Sequence, residues 1–259
     1  MFPPSRNLNQ HIRRLYFTKP ATTWKPDATV QEFRMTFSLV ARCPRSGQFA
    51  VAVTSSSPAV AARCAFARAG VGAATTQNVT DPRLAPQLLD ALESGLTAAA
   101  AIEKIAGSAS FPEFRQLTLI DTHGKTAVFS GARTLGVTGE ARGSNAAAAG
   151  NLLADNGVPQ AVIDAFVASD PNLELGARVI EAMLAGLAAG GEAGPIKSAG
   201  LIVVDKQAWP LADLRVDWHD APLHELARLW EIWQPQMHDY VTRALNPTAA
   251  PAYGVPGDE

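Results

Sequence analysis

The chain has 259 residues, of which 47% are hydrophobic and 18% are charged, and its net charge is −2. This length suffices for one globular domain with a sizeable core. The even charge balance excludes the clustered basic face of a nucleic-acid-binding protein, so no nucleic-acid partner is expected. No apolar run reaches the roughly 18 residues that a membrane span requires, so no membrane partner is expected either.

Cysteine usage bears on the compartment and on cofactors. Cys43 and Cys64 are the only two cysteines, and their spacing fits neither a metal site nor a disulfide framework. The sequence therefore predicts a cytoplasmic protein that uses no metal and no organic cofactor.

The first 34 residues differ in charge from the rest. They hold six Lys and Arg against Asp27 and Glu32, so they carry a net charge of +4 and leave −6 on the remainder. They contain four prolines, show no sustained periodicity and lack the apolar region of a secretory signal. We expect an irregular or disordered extension, or a mis-assigned start, with Met35 as the natural start of the domain.

The domain begins with a predicted hairpin. Residues 36–42 and 48–54 are strand-like, and residues 43–47 between them hold the Pro and Gly of a short turn. Residues 59–67 are predicted as a short helix. Small residues over 70–77 predict a third strand that packs closely against its neighbours.

Helices and a second hairpin come next. A helix is predicted over 83–94, and another over 98–106 with Thr97 as its N-cap. Residues 114–121 and 126–130 are predicted to form the hairpin, because a Thr-His-Gly-Lys turn separates two strand-like runs.

The pattern of strands followed by paired helices then repeats. A small-residue strand is predicted over 146–153, with helices over 158–168 and 173–189. The run 198–205 is almost continuously apolar, which is typical of a strand buried on both faces. The last strand is predicted over 214–218.

A final helix is predicted over 222–243, since its large apolar residues recur every three or four positions. Core packing is the simplest role for its aromatic residues. They could also extend an interface, so a homodimer is predicted. The tail 246–259 is Pro-rich and is expected to be loose.

The order of elements indicates the fold class. Hairpins dominate, so the sheets should be largely antiparallel, and two helix pairs are available to cover two sheets. The prediction is an α+β fold, a four-layer α-β-β-α sandwich over residues 35–245.

Several segments together resemble the bacterial family called domain of unknown function 1028, over about residues 35–235. They are Thr36–Arg42, Ala50–Ser55, Ala69–Ala73, Thr76-Gln77, Asp81–Arg83, Gly150–Ala154 and Asp213–Asp217. The resemblance implies a fold like that of N-terminal-nucleophile (Ntn) hydrolases. It also implies that relatives begin Met-Thr, so Thr36 would be their second residue. Asp81, Lys197 and Trp218 depart from the family pattern, which puts the substrate contacts in question more than the fold.

Thr36 is the first candidate catalytic residue. A threonine exposed by removal of a preceding Met carries a nucleophilic hydroxyl and an amine base on one residue. An unperturbed α-amine has a pKa of about 7.7–8.0, which suits a general base near neutral pH. The plain alternative is a β-branched residue that simply belongs to a strand. The mechanism also requires that residues 1–35 be absent from the active chain.

Polar residues at strand ends are the next candidates. The Asn151 amide could stabilise an oxyanion, or Gly150-Asn151 could form a turn or bulge. Gln77 and Asn78 could line the same cleft, or could cap the end of their strand. Ser55 closes the second strand and could contact substrate, although a loop residue is the plainer interpretation.

Three charged residues are candidates for substrate binding. The fork of Arg83 could bind a substrate carboxylate, or Arg83 could be a solvated residue near a helix start. Arg215 and Asp217 alternate with apolar residues and so share one strand face. They are predicted to form either a structural ion pair or a substrate clamp. The glycine-rich run 190–198 lacks the residue order of a phosphate loop and is rejected as one.

The leading hypothesis is an Ntn-type amidohydrolase that cleaves an amide or related C–N bond of a small polar substrate. The alternative is a non-catalytic small-ligand-binding or assembly protein that retains the Ntn fold. A third hypothesis is a hydrolase of this fold that uses a Ser or Cys elsewhere.

Overall fold

The computed structural model describes residues 35–257 of the chain. These residues belong to one compact unit. The predicted extension over residues 1–34 lies outside the described residues, as do the last two residues of the predicted tail.

The larger sheet has six strands in the order β10-β9-β2-β1-β8-β7, and every neighbouring pair is antiparallel. Its strands are β1 (Thr36–Arg42), β2 (Phe49–Ser55), β7 (Gly139–Gly143), β8 (Ala146–Asn151), β9 (Ser198–Val204) and β10 (Ala212–Val216). The strand that begins at Thr36 therefore lies in the interior of the sheet, hydrogen-bonded on both edges.

The smaller sheet has four antiparallel strands in the order β3-β4-β5-β6. They are β3 (Ala65–Arg68), β4 (Gly72–Asn78), β5 (Arg115–Asp121) and β6 (Thr126–Ser130). The α-helices of the described residues are α1 (Ala61–Cys64), α2 (Leu84–Glu93), α3 (Ala98–Ser108), α4 (Val158–Ala168), α5 (Leu175–Ala188), α6 (Pro222–Trp233) and α7 (Met237–Leu245). Two antiparallel sheets with these helices make a mixed α/β fold.

Side-chain alternation along β1 assigns its two faces to different apolar cores. Phe37 and Leu39 belong to a core shared with α4, α5 and α6, whereas Val40 belongs to a core shared with the smaller sheet, which supplies Ala73 and Ile120. A third core lies between the smaller sheet and helices α2 and α3. Because both faces of β1 are buried, polar residues that share a face with Val40 lie inside the molecule.

Most predicted elements are confirmed within a residue or two, and Thr97 caps α3 by accepting a hydrogen bond from the backbone N–H of Ala100. The helix predicted over 59–67 is only partly correct, because Ala65–Arg68 forms β3 by pairing with β4. Strand β7 was not predicted. The last predicted helix is two helices, since the chain turns at Pro235 between α6 and α7.

Candidate functional site

Thr36 is the first residue of β1, where it is flanked on both edges of the strand. Its register partners are Ser55 on β2 and Asn151 on β8. The side chain is buried, and its Oγ1 donates a hydrogen bond to the Met35 carbonyl oxygen at 2.7 Å and lies 3.2 Å from Ser55 Oγ. Three residues that the sequence nominated independently, Thr36, Ser55 and Asn151, therefore meet at one end of the larger sheet.

Met35, the residue before β1, is buried and hydrogen-bonded through its backbone. Its side chain is 1% exposed, its backbone N–H donates to Ser56 Oγ at 3.0 Å, and its carbonyl oxygen accepts from Ser55 Oγ at 2.5 Å. The nitrogen of Thr36 in this chain is a peptide nitrogen. A free α-amine at Thr36 exists only in a chain from which Met35 has been removed.

Three amide side chains, one each from β4, β5 and β8, meet between the two sheets. Gln77 Nε2 and Asn151 Nδ2 both donate to Gln116 Oε1, at 2.7 Å and 3.1 Å. Gln116 Nε2 in turn donates to the Gly150 carbonyl at 3.0 Å and to Ser130 Oγ at 3.0 Å. Gln116, which the sequence analysis did not single out, therefore links the two sheets.

Polar atoms without partners gather at the same end of the space between the sheets. Register pairs Gln77 with Gln116 and Thr75 with Thr118, so these residues lie side by side on β4 and β5. Five buried oxygens there lack a hydrogen-bond partner: Ser38 Oγ, Thr75 Oγ1, Gln77 Oε1, Thr118 Oγ1 and Asn151 Oδ1. Buried unpaired polar groups are costly to stability. The five oxygens lie on strands of both sheets, β1 and β8 in the larger sheet and β4 and β5 in the smaller one.

A hydroxyl chain leads from Thr36 to a cation. Ser55 Oγ lies 2.8 Å from Ser57 Oγ, which also accepts a hydrogen bond from the Arg63 guanidinium. Arg63 further donates to the backbone carbonyls of Pro58 and Ala59, which fixes the position of its guanidinium beside the residues that precede α1. The arrangement places one positive charge two hydroxyls away from Thr36 Oγ1.

Glu192 is a second residue that the sequence analysis missed. It is buried in the loop after α5, forms an isolated β-bridge with Leu153, and accepts a hydrogen bond from the Ser56 backbone N–H at 3.1 Å through Oε2. Its other oxygen has no partner. Burial raises the pKa of Glu192 to about 8, against the opposing effect of the Ser56 N–H. In the sequence it is a lone carboxylate in a glycine-rich run, which carries no recognisable signal.

Asn78 is the last residue of β4, and Arg83 follows that strand in the chain. Asn78 Nδ2 donates to the Phe114 carbonyl at 2.6 Å, and its Oδ1 accepts from the Leu135 N–H at 3.2 Å, so this side chain ties two loops together. Arg83 binds Asp81 with two side-chain hydrogen bonds, of 2.9 Å and 2.7 Å. These bonds lower the pKa of Asp81 to about 2, while the Arg83 side chain stays 76% exposed.

Arg215 and Asp217 are not brought to Thr36. Strand β10 is separated from β1 by β9 and β2, which corresponds to roughly 14 Å at the usual spacing between strands. Arg215 forms its bidentate ion pair with Asp213, at 2.7 Å and 2.8 Å. The Asp217 backbone carbonyl accepts a hydrogen bond from Ala59. Their role in substrate binding stays a prediction.

Other chemical features of the described residues lie elsewhere or form no site. A surface cavity of about 270 Å³ lies at the far end of β1, lined in part by Arg42, Cys43 and Arg178. No three His, Cys, Asp or Glu residues between positions 35 and 257 cluster in a way that could hold a metal ion. Over the same span, the helices are too short or too polar to cross a bilayer.

Comparison with known proteins identifies a family and similar solved structures. The model of a family described as "Family of unknown function (DUF1028)" matches residues 36–226. Protein SPO2555 from Silicibacter pomeroyi, whose crystal structure carries the same family designation, is 28% identical, with a TM-score of 0.71 over 76% of this chain and 88% of that one. No curated protein gives a significant match.

The second structure is Anbu (ancestral beta-subunit) from Yersinia bercovieri. It is 10% identical over 79% of this chain and 97% of that one, and its TM-score of 0.34 is too low to support an argument.

Proposed function

The chain belongs to the DUF1028 family, and from this premise we propose that it is an N-terminal-nucleophile hydrolase that cleaves an amide or related C–N bond of a small polar substrate. The observation that carries the proposal is the position of Thr36. It starts an interior strand, points into the polar end of the space between the sheets, and is the first residue of the family match. As part of the same proposal, the fold is a four-layer α-β-β-α sandwich of the Ntn type.

The proposed reaction needs only groups at this end of the sheet. With Met35 removed, the free amine of Thr36 takes the proton from Oγ1, which attacks the substrate carbonyl carbon. The tetrahedral intermediate collapses as the same amine returns the proton to the leaving nitrogen, and the C–N bond breaks. A water molecule, deprotonated by the amine, then hydrolyses the acyl ester and releases the acid.

Asn151 is the proposed oxyanion donor. It is the register partner of Thr36 on β8, and Gln116 holds its amide in place. A donor fixed before the reaction stabilises the developing charge without reorganisation. The Arg63 guanidinium adds a positive charge through Ser57 and Ser55, which favours loss of the Thr36 Oγ1 proton as the hydroxyl attacks.

Production of the free amine requires removal of Met35. Threonine is small enough to permit methionine removal when a chain starts at Met35. In a chain that keeps residues 1–34, hydrolysis of the Met35–Thr36 peptide bond takes that role: a water molecule adds to the Met35 carbonyl carbon, Met35 leaves as the carboxylate, and Thr36 keeps the amine. The Met35 carbonyl accepts hydroxyl hydrogen bonds from both Thr36 and Ser55, and these would stabilise negative charge on that oxygen during cleavage.

A specific observation favours a second candidate function. With Met35 buried and its backbone hydrogen-bonded to Ser55 and Ser56, the nitrogen of Thr36 is blocked. A chain that retained Met35 in the cell would be a non-catalytic binding or assembly protein that keeps this fold. The two candidates differ in the N-terminal residue of the purified protein.

The test combines mass with turnover. Intact mass spectrometry identifies the N-terminal residue, and a panel of small amides is assayed for product amine with the wild type and with Thr36→Ala. The proposal expects a chain that starts at Thr36 and turnover that Thr36→Ala abolishes. Retention of Met35 in a fully active protein, or undiminished turnover by Thr36→Ala, would refute it.

A further inference from the structure

The side chain of Met35 occupies a buried space beside the loop that holds Glu192 and Gly194. A Cβ added to Gly194 would lie 2.7 Å from Met35 Cε and 3.8 Å from Sδ, so the absence of a side chain at position 194 makes room for the methionine tip. The side chain is 1% exposed. Removal of Met35, which the proposed function requires, would therefore leave a space the length of an unbranched side chain next to the new amine of Thr36.

Ser56 links the backbone of Met35 to Glu192. Its hydroxyl accepts from the Met35 N–H, and its own backbone N–H donates to Glu192 Oε2. Glu192 is 5% exposed, and its Oε1 has no hydrogen-bond partner. Among residues 35–257, no Lys, Arg or His forms an ion pair with it. Proteins seldom bury a carboxyl group without a cation or a full set of hydrogen bonds, because such a group costs stability.

We propose that the space filled by Met35 becomes the substrate pocket of the processed protein, and that Glu192 is a specificity-determining residue in it. The pocket accepts a linear, unbranched substrate arm that ends in a primary ammonium group, and Glu192 supplies the counterion. This proposal rests on the proposed function, because removal of Met35 opens the pocket. It adds the chemical class of the substrate.

Two physical features define that substrate class. The methionine side chain is unbranched, so the space it vacates admits a straight alkyl arm and excludes a branched or aromatic one. A buried carboxylate that lacks a cation gains most from a ligand that brings one. Because burial raises the pKa of Glu192 to about 8, an entering ammonium group should displace a proton from the carboxyl near neutral pH.

The first experiment tests the pocket by stability alone. Gly194→Ala is placed in the full chain with Met35 retained and in a chain made to start at Thr36 by cleavage of a fusion. The apolar cores are built from residues after Met35, so the shorter chain keeps all three. The expected result is a lower melting temperature for Gly194→Ala in the Met35-bearing chain and little change in the Thr36-starting chain. Equal destabilisation of both chains would overturn the placement of the pocket.

The second experiment tests the chemistry of the pocket by calorimetry on the Thr36-starting chain, with n-butylamine and 1-butanol as probes. The amine should bind more tightly than the alcohol, with proton release revealed by buffers of different ionisation enthalpy. Glu192→Gln should weaken amine binding by about tenfold or more and leave the alcohol unaffected. Equal binding of the two probes, no binding of the amine, or an unchanged Glu192→Gln variant would overturn the proposal.

A Thr36→Ala variant of the same processed chain separates this proposal from the proposed function. It should lose turnover but still bind n-butylamine, because the pocket does not use the threonine hydroxyl. Amine binding in a protein that hydrolyses nothing would support the pocket and refute the hydrolase. Turnover that depends on Thr36 but shows no selectivity for ammonium-bearing substrates would support the hydrolase and refute the pocket.

Discussion

Thr36 and Asn151 are register partners on neighbouring antiparallel strands, at one end of the larger sheet. Both side chains point into the space between the sheets, where Gln116 of the smaller sheet fixes the Asn151 amide. The backbone hydrogen bonds between β1 and β8 hold the proposed nucleophile and the proposed oxyanion donor on adjacent strands. The relationship gives the proposed chemistry a rigid base.

Substitution of Thr36 should separate chemistry from folding. We expect Thr36→Ala to lower turnover at least about a thousandfold, because no other hydroxyl shares its residue with an amine. Thr36→Ser keeps the hydroxyl and should retain measurable turnover. The measurement is steady-state amine release from the active amide of the panel. A Thr36→Ala protein with normal turnover would remove Thr36 from the mechanism.

Asn151→Ala should reduce kcat by about a hundredfold to a thousandfold, the usual loss when one oxyanion donor is removed. Ser130→Ala is the matched control, because Ser130 also binds Gln116 but lies at the outer end of the network. Each change should cost about 1–3 kcal/mol of stability or less. The assignment of Asn151 fails if both variants lose kcat equally, or if neither does.

Glu192 should make the stability of the full chain depend on pH. Its pKa is raised by burial from an ordinary value of 4.5 to about 8. Between these pH values the folded chain keeps a proton that the unfolded chain has lost. The free energy of unfolding should therefore fall as pH rises from about 4.5 to about 8, and above about pH 8 Glu192 should cause no further decrease. The measurement is denaturant unfolding at a series of pH values.

Glu192→Gln is the control for this pH dependence, since it keeps the shape of the side chain and cannot titrate. The free energy of unfolding of the variant should not fall between pH 4.5 and pH 8 on account of position 192. At pH 8 its free energy of unfolding should exceed that of the wild type by an amount on the order of a few kcal/mol. Identical slopes for the two proteins would show that Glu192 does not titrate as the structure indicates.

Arg83 and Arg215, the two arginines considered for substrate binding, should differ in their effect on catalysis. Arg215 is bound by Asp213 and lies on the far side of β9 and β2 from Thr36, so we expect Arg215→Gln to leave kcat and KM unchanged. Arg83 is exposed and follows β4, which carries Gln77. If it binds substrate, Arg83→Gln should raise KM for acidic amides at nearly constant stability, because exposed ion pairs contribute little. A raised KM in Arg215→Gln together with an unchanged KM in Arg83→Gln would contradict this expectation.

Local signals predicted most of the fold. The Thr97 cap, the Pro-Gly turn after β1 and the apolar run of β9 each depend on a few neighbouring residues, and the structure has them all. Strand β3 was predicted as helix because its four residues pair with β4 through contacts that local propensity does not contain. Strand β7 was missed because Gly139–Gly143 holds two glycines and two charged residues and has little apolar alternation.

The site was predictable only in part, for a physical reason. Thr36 could be found from its place after Met35, and Asn151 from its strand end. Gln116 alternates with leucine along β5, a pattern typical of a solvated face, yet that face is buried between two sheets. Glu192 gains its environment from Ser56 and Leu153, both distant in the chain. Such long-range contacts leave no trace in local spacing.

The most direct test compares two forms of one protein in the same amide assay, one that starts at Thr36 and one that retains Met35, with each N-terminus verified by intact mass. The account predicts turnover by the Thr36-starting form and none by the form in which the Thr36 nitrogen is a peptide nitrogen. Equal turnover by both forms, with Met35 still present at the end of the assay, would contradict it.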